Sequence, residues 1–389
     1  MTDLISTDIL VSGGGIAGLI AAAGFGAQGQ RVLCVDPAPP VTQEGTGADM
    51  RTTAFLQPSV ALLRRIGLWD RLAPFAAPLQ IMRIVEGSMS REFDASEISD
   101  EPFGYNLPNW LIRREILARI AEFPGVTFRP GTGTATLLPR DDAALVTLTD
   151  GTRVAARLVV AADGRDSPVR KQLGIGVRTT RYGQRALAFG VTHDTPHNNI
   201  STEVHQSGGP FTLVPLPDRD GKHASGVVWM DNGPAIERLR ALPPDAFVQA
   251  LNDRSLGVLG HLTPATPLGE YPIISQIADR FSGPRTALIA EAAHVVPPIG
   301  AQGLNMSLAD LATLLDLSLT APGSGESLRA YNRARRPDAV ARLTGIDALN
   351  WASIAGAAPL RRVRAAALAA LFALPPVRHA VMRAGLGLR

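Results

Sequence analysis

The chain has 389 residues, 46% hydrophobic and 19% charged, with 38 Gly and 30 Pro. That length and apolar content allow a sizeable core and two to three domains, and they exclude a disordered or fibrous chain. The formal net charge is +3, and 36 of the 38 basic residues are Arg spread along the whole sequence, which argues against a nucleic-acid partner, where they would gather on one stripe.

The first element in chain order is an apolar run at 8–11 of strand length, followed at once by Ser12-Gly13-Gly14-Gly15-Ile16-Ala17-Gly18. Residues 19–28 are Ala-rich and helix-permissive, and a second apolar run at 31–35 ends in Asp36. Strand, Gly-x-Gly-x-x-Gly turn, helix, strand and acid, in this spacing, predict a dinucleotide-binding βαβ unit. Gly13 permits the turn, Gly15 lets backbone approach a pyrophosphate, and Gly18 lets helix and strand pack closely. Ala17 lies in the first helical turn, whose unpaired N–H groups favour phosphate. Asp36 is placed to accept from ribose hydroxyls and disfavours a 2′-phosphate. The motif alone leaves FAD and NAD both open. Cys34, the one cysteine, lies inside the second run and reads as a buried strand residue, so neither a disulfide within the chain nor a Cys-rich metal site is expected. No basic segment precedes the first apolar run, so no secretory signal is visible and a cytoplasmic location is expected.

Two later runs deliver acids at strand ends. Residues 157–162 lead into Asp163-Gly164, and residues 287–290 lead into Glu291-Ala292-Ala293-His294. The latter continues through Pro297-Pro298-Ile299-Gly300-Ala301-Gln302-Gly303-Leu304-Asn305 into a helix over about 304–317. Such a Pro/Gly loop, backed by a helix N-terminus, suits the N1/C2=O edge of a reduced flavin, with Pro298, Gly300, Gln302 and Gly303 nearest it. Between these blocks, residues 181–271 carry short alternating runs separated by Gly, Pro and Asp. They predict an antiparallel sheet that, with 76–100, covers the substrate. The seven histidines form no metal-ligand pattern; His193 and His197 are separated by Pro196, and no metal is expected. His294 invites a base role and equally a packing role.

These blocks together resemble the ubiquinone-biosynthesis ring hydroxylases of the class A FAD-dependent aromatic monooxygenases. The likeness is carried by the glycine turn, Asp163-Gly164 and the 291–305 block, and also by the stretches Asp49-Met50-Arg51-Thr52-Thr53-Ala54, Gly104-Tyr105-Asn106-Leu107-Pro108-Asn109 and 209–216. The resemblance implies an α/β fold with a Rossmann-like FAD-binding domain of the glutathione-reductase, para-hydroxybenzoate-hydroxylase-like type. That domain would comprise residues 1–75, 101–175 and 280–350. A β-sheet substrate domain would span 76–100 and 176–279, and amphipathic helices 351–389. It also implies FAD held by Gly13, Gly15, Ala17, Gly18, Asp36, Arg51, Arg113, Asp163, Gly164, Glu291, Pro298, Gly303, Leu304 and Asn305. Pro210, Phe211, Leu213 and Pro215 would border the substrate. Where the family has Gly-Asp this chain has Ala290-Glu291, one methylene longer. The implied reaction hydroxylates the ring of a polyprenylated phenol through a flavin C4a-hydroperoxide. It uses O2 and NAD(P)H or another electron donor, with other ubiquinone-biosynthesis proteins as partners. No catalytic side-chain base is assigned. A soluble hydroxylase of a small phenol shares every FAD motif and remains the alternative.

Residues 351–389 contain six Arg and no acid, with Leu360, Val363, Leu368, Leu371, Phe372 and Leu374 interleaved. The apolar run at 365–377 is broken by Pro375 and Pro376 and is too short to span a bilayer. Such a tail either lies on the inner face of the cytoplasmic membrane as a peripheral anchor or packs on the FAD domain.

Overall fold

The computed structural model describes residues 4–45, 49–206, 208–354 and 372–387. Its first layer is an eight-stranded sheet whose centre is parallel. Leu4–Ser12 pairs in parallel with Val32–Asp36 on one side and Arg153–Ala161 on the other. Thr286–Leu288 and Val126–Pro130 extend the sheet outward. Ile9, Leu10, Val11, Cys34, Val35 and Val159 are all buried, as expected for strands covered on both faces. Burial also pushes the Cys34 thiol far up, so it stays a neutral apolar side chain. The Ile16–Ala27 helix follows the first strand, and its small residues let it lie close to its neighbours. A Cβ on Gly24 would sit 3.0 Å from Leu315 of the Gln302–Leu317 helix.

The second layer is a nine-stranded, mostly antiparallel sheet built from residues 81–94, 177–232 and 262–295. One face is apolar, with Phe189, Phe211, Leu213, Val227 and Trp229 packed against Ile236, Phe247 and Leu251. Those last three come from helices Gly233–Arg240 and Pro244–Ser255, which interrupt the sheet expected over 181–271. Asn232, whose side chain accepts from the Ala235 N–H at 3.0 Å, and Pro234 in the first turn are the signals that mark the first of them. The opposite face looks toward the first layer. A Cβ on Gly226 would lie 3.0 Å from Thr52 Oγ1, so a side chain there would press on Thr52.

Between the layers runs a small sheet of Thr52–Leu56, Ala77–Leu79 and Gly104–Pro108. It is bonded to both, through Asn305 on one side and through Asn106, which donates to the Pro215 carbonyl at 2.9 Å, on the other. The α/β architecture implied by the sequence is present, with the small sheet forming the seam that joins the parallel layer to the nine-stranded one.

The C-terminal helix Pro375–Leu386 lies back on the body. Arg378 and His379 meet Glu97, and Phe372 packs edge-on to Phe93. At the far end Gly385 O accepts from Gln302 Nε2 at 2.9 Å. Of the tail's residues singled out above, Leu360, Val363, Leu368 and Leu371 lie outside the described residues. The described helix also presents an exposed apolar side, with Leu374, Val377 and Val381. No helix among the described residues is long and apolar enough to cross a membrane.

Candidate functional site

The glycine turn is built around two close approaches. Gly13 has φ +111, and a Cβ there would fall 2.3 Å from Ala162 O; one on Gly18 would fall 1.9 Å from Gly13 O. Gly15 differs, because a Cβ there would meet nothing within 4 Å. It caps the helix without a side-chain partner, so the helix begins beside the open space at Gly15 with no side chain claiming its first-turn N–H groups. Asp36 stands at the rim. Its carboxylate accepts from Gly14 N–H at 2.5 Å and from Ala38 N–H at 2.8 Å.

Asp163 and Gly164 follow the adjacent parallel strand, Gly164 with φ +83. Asp163 Oδ2 accepts from Val169 N–H at 3.1 Å, while Oδ1 is buried without a partner. Burial raises its carboxyl above the ordinary range despite the Ser167 and Val169 hydrogen bonds.

Arg51 and Arg113 converge on Asp49, which the sequence reading did not single out as a site residue. Arg51 pairs with Asp49 through two hydrogen bonds of 2.8 Å, and Arg113 reaches it at 3.2 Å. Asn109 Nδ2 donates to the same carboxylate at 2.9 Å, and Tyr271 O–H from the second sheet at 3.3 Å. Burial opposes the charge on Asp49, but the hydrogen bonds and charges of Arg51, Asn109 and Arg113 win and hold the carboxyl well below its usual range. The Arg51 guanidinium also lies over the Tyr271 ring at 4.5 Å. A cavity of about 260 Å³ opens beside it, lined by Thr52, Phe75, Trp110, Val191, Leu216 and Ala224 among others.

The Pro/Gly loop is held in an uncommon backbone. Gly300 has φ +63, Ala301 +56 and Ala290 +54. The helix behind it begins at Gln302 with no side-chain cap, and Pro298, Gly300 and Gly303 are exposed. The Asn305 side chain is engaged within the protein. Its amide accepts from Leu56 N–H at 2.9 Å and donates to the carbonyls of Ala54 and Ala301, so the side chain ties helix to strand. Gln302 is likewise engaged, by Gly300 O, Gly385 O and Arg342. Glu291 is exposed and close enough for its charge to act on Arg51. His294 sits in full burial, with Nε2 2.6 Å from Asp310 Oδ2, while Arg335 Nε donates to Asp310 Oδ1 at 2.7 Å. Its place is the support behind the loop.

Ala290 carries a testable cost. A Cβ in the left-handed region is strained by about 1 kcal/mol or somewhat more. Ala290→Gly is expected to stabilise the protein by roughly 1 kcal/mol in urea unfolding. No gain would contradict the left-handed backbone at this position.

Of the four expected substrate-bordering residues, Phe211, Leu213 and Pro215 point away from the seam. Phe211 and Leu213 are fully buried in the core beneath the two helices, and Phe211 packs edge-on to Trp229 at 5.5 Å. Successive residues of a strand face opposite sides, so the set sharing Gly226's side is Pro210, Thr212, Val214 and Leu216. The segment is apolar at nearly every position, and no alternation marks its face.

The cradle suits FAD: open N–H groups at Gly15, a rim carboxylate, and a second uncapped helix across from it. Residues 6–344 match the FAD binding domain family. The chain is 34% identical to the ubiquinone hydroxylase UbiL of Rhodospirillum rubrum, over 98% of this chain and 89% of that protein. It is 27% identical to the 3-demethoxyubiquinol 3-hydroxylase of Escherichia coli, over 98% and 99%. Among solved structures, a p-nitrophenol 4-monooxygenase from Pseudomonas putida superposes with a TM-score of 0.83 at 20% identity, covering 99% of this chain and 100% of that one.

Proposed function

The chain belongs to the FAD-dependent ring hydroxylases that include the ubiquinone hydroxylases, and from that premise we propose that it hydroxylates the aromatic ring of a polyprenylated phenol on the way to ubiquinone. The observation that carries this reading is the match along nearly the whole chain to a ubiquinone hydroxylase at 34% identity. Bound FAD, reduced by NAD(P)H, supplies the activation of O2, with one oxygen atom entering the ring and the other leaving as water.

This chain's own residues then have distinct tasks. Gly13 and Gly18 let turn, helix and strand pack closely, Gly15 would admit the pyrophosphate to the N-terminus of the first helix, and Asp36 would accept from the ribose. Arg51 and Arg113, now paired with Asp49, would offer charge to the phosphates. The uncapped turn at Gln302 and Gly303 would offer its partial positive charge to an anionic flavin ring. Asp163 and Glu291 are the carboxylates that would stand beside the bound cofactor. Thr212, Val214 and Leu216, rather than Phe211 and Leu213, present the substrate-side surface, and the two layers exclude water between them.

The polyprenyl tail of such a substrate is membrane-resident. The exposed side of Pro375–Leu386, with Val377 and Val381, is the surface we assign to membrane contact, alongside other proteins of the pathway. Co-sedimentation with anionic vesicles, reduced in Val377→Glu, is expected; equal partition of both proteins would remove this assignment. For the reaction, deletion of the gene is expected to lower ubiquinone and accumulate a prenylphenol lacking one ring oxygen by mass spectrometry. An unchanged pool in a host without a second hydroxylase would overturn the substrate.

A further inference from the structure

We propose that His205, held by Glu203, is the proton acceptor for the substrate's ring hydroxyl; the proposal rests on the phenol-hydroxylase reading above and adds a residue to it.

In the strand Ile200–His205, Ile200, Thr202 and Val204 share one side and Ser201, Glu203 and His205 the other. Val204 is fully buried in the core beneath the two helices, opposite Phe211, so Glu203 and His205 lie on the other side. That is the side on which Gly226 meets Thr52 and Phe93 meets Phe372 of the C-terminal segment. The dyad therefore sits on the inner surface of the substrate-side sheet, two strands across from Gly226, with the returning C-terminal segment at the sheet's outer edge. Its neighbours across the sheet are Thr212, Val228 and Ala188 in one register and Pro210, Met230 and Ala186 in the next, so Thr212 is the one polar side chain among them.

His205 Nε2 lies 2.5 Å from Glu203 Oε1, and the side chains are 13% and 9% exposed. Nδ1 is buried and has no hydrogen-bond partner. A carboxylate on one ring nitrogen fixes the tautomer, with Nε2–H donated to Glu203 and the Nδ1 lone pair left as acceptor. A buried acceptor without a donor is unfavourable, and a ligand hydroxyl would relieve it. Imidazole is the side chain whose ordinary pKa suits general-base work near neutrality. The other charged groups around the dyad are Glu86, opposite His205 on the neighbouring strand, and Arg91, opposite Ile84; Arg378 and His379 are turned to Glu97.

In the step, the phenol O–H breaks and its proton passes to Nδ1. The electron pair stays on the phenolic oxygen and enriches the ring carbon that receives oxygen. The oxygen atom and electrons come from O2 and NAD(P)H in the reaction already assigned, and the imidazolium returns its proton to solvent as product leaves.

The test follows ionisation directly in the holoenzyme. A 2-methoxy-6-geranylphenol probe is bound, and phenolate is read by ultraviolet difference spectra across pH, with binding read separately by flavin fluorescence. The bound phenol is expected to ionise at least about one pH unit below the free phenol, tenfold in equilibrium. His205→Phe should abolish that shift while FAD content and probe binding at low pH persist, and Glu203→Gln should reduce it. Unchanged ionisation in both variants would overturn the role of His205 and leave the substrate reading intact. Failure of the parent enzyme to bind the probe would overturn the substrate reading and this role with it.

Discussion

Gly15→Ala is expected to leave the apoprotein as stable as the parent and to weaken FAD binding about a hundredfold, or near 2.7 kcal/mol. The backbone at Gly15 has φ −66, which alanine adopts without strain, and the added methyl meets no protein atom within 4 Å. The only thing it meets is whatever approaches the open N–H groups of the helix, and a pyrophosphate must come that close to use them. Gly18→Ala is the contrasting case. Its methyl would lie 1.9 Å from Gly13 O, so helix and turn cannot both keep their places, and the loss is of folding itself. Thermal unfolding of the apoproteins and fluorescence titration with FAD separate the two. Parent-like FAD affinity in Gly15→Ala would place the pyrophosphate elsewhere.

Asp310→Ala is expected to destabilise the protein by about 3–5 kcal/mol, the usual consequence of removing one partner of a buried ion pair. Asp310 is wholly buried and joins His294 from the flavin-side loop to Arg335 from the Gly325–Ile354 helix. Burial alone would lower the Arg335 pKa, but the Asp310 charge and hydrogen bond outweigh it and raise the value. Without the carboxylate the guanidinium loses its buried partner and keeps the ion pair to half-exposed Asp338, 3.1 Å away, while it stands beside fully buried Tyr331. Equilibrium urea unfolding measures this. A loss under about 1 kcal/mol would mean that Asp338 or water satisfies Arg335.

What the sequence made legible is what lies within a few residues. The glycine turn with Asp36, and the Pro/Gly loop with its helix, are encoded by spacing and by residues with narrow backbone preferences. The partners of Asp49 are scattered, Asn109 at 60 positions and Tyr271 at 222, so that hub forms only when the two layers meet. The same holds for His294, Asp310 and Arg335. Which side of residues 210–216 faces the seam is not marked in the sequence, because the segment is apolar on both sides. The strand just before them was more informative: Glu203-Val204-His205 alternates polar and apolar, and an inward-facing acid–histidine pair was readable there. Asn305 shows a different limit, since its position in the loop block was evident but its amide serves the Thr52–Leu56 strand.

The most direct test of FAD-dependent ring hydroxylation is isotopic. The purified holoprotein would be given NADPH, a short-chain prenylphenol and 18O2, and the product analysed by mass spectrometry. The account predicts one 18O atom in the aromatic ring for each product formed, dependent on FAD. Oxidation of NADPH with hydrogen peroxide as the sole oxygen product, across prenylphenols that bind, would contradict it.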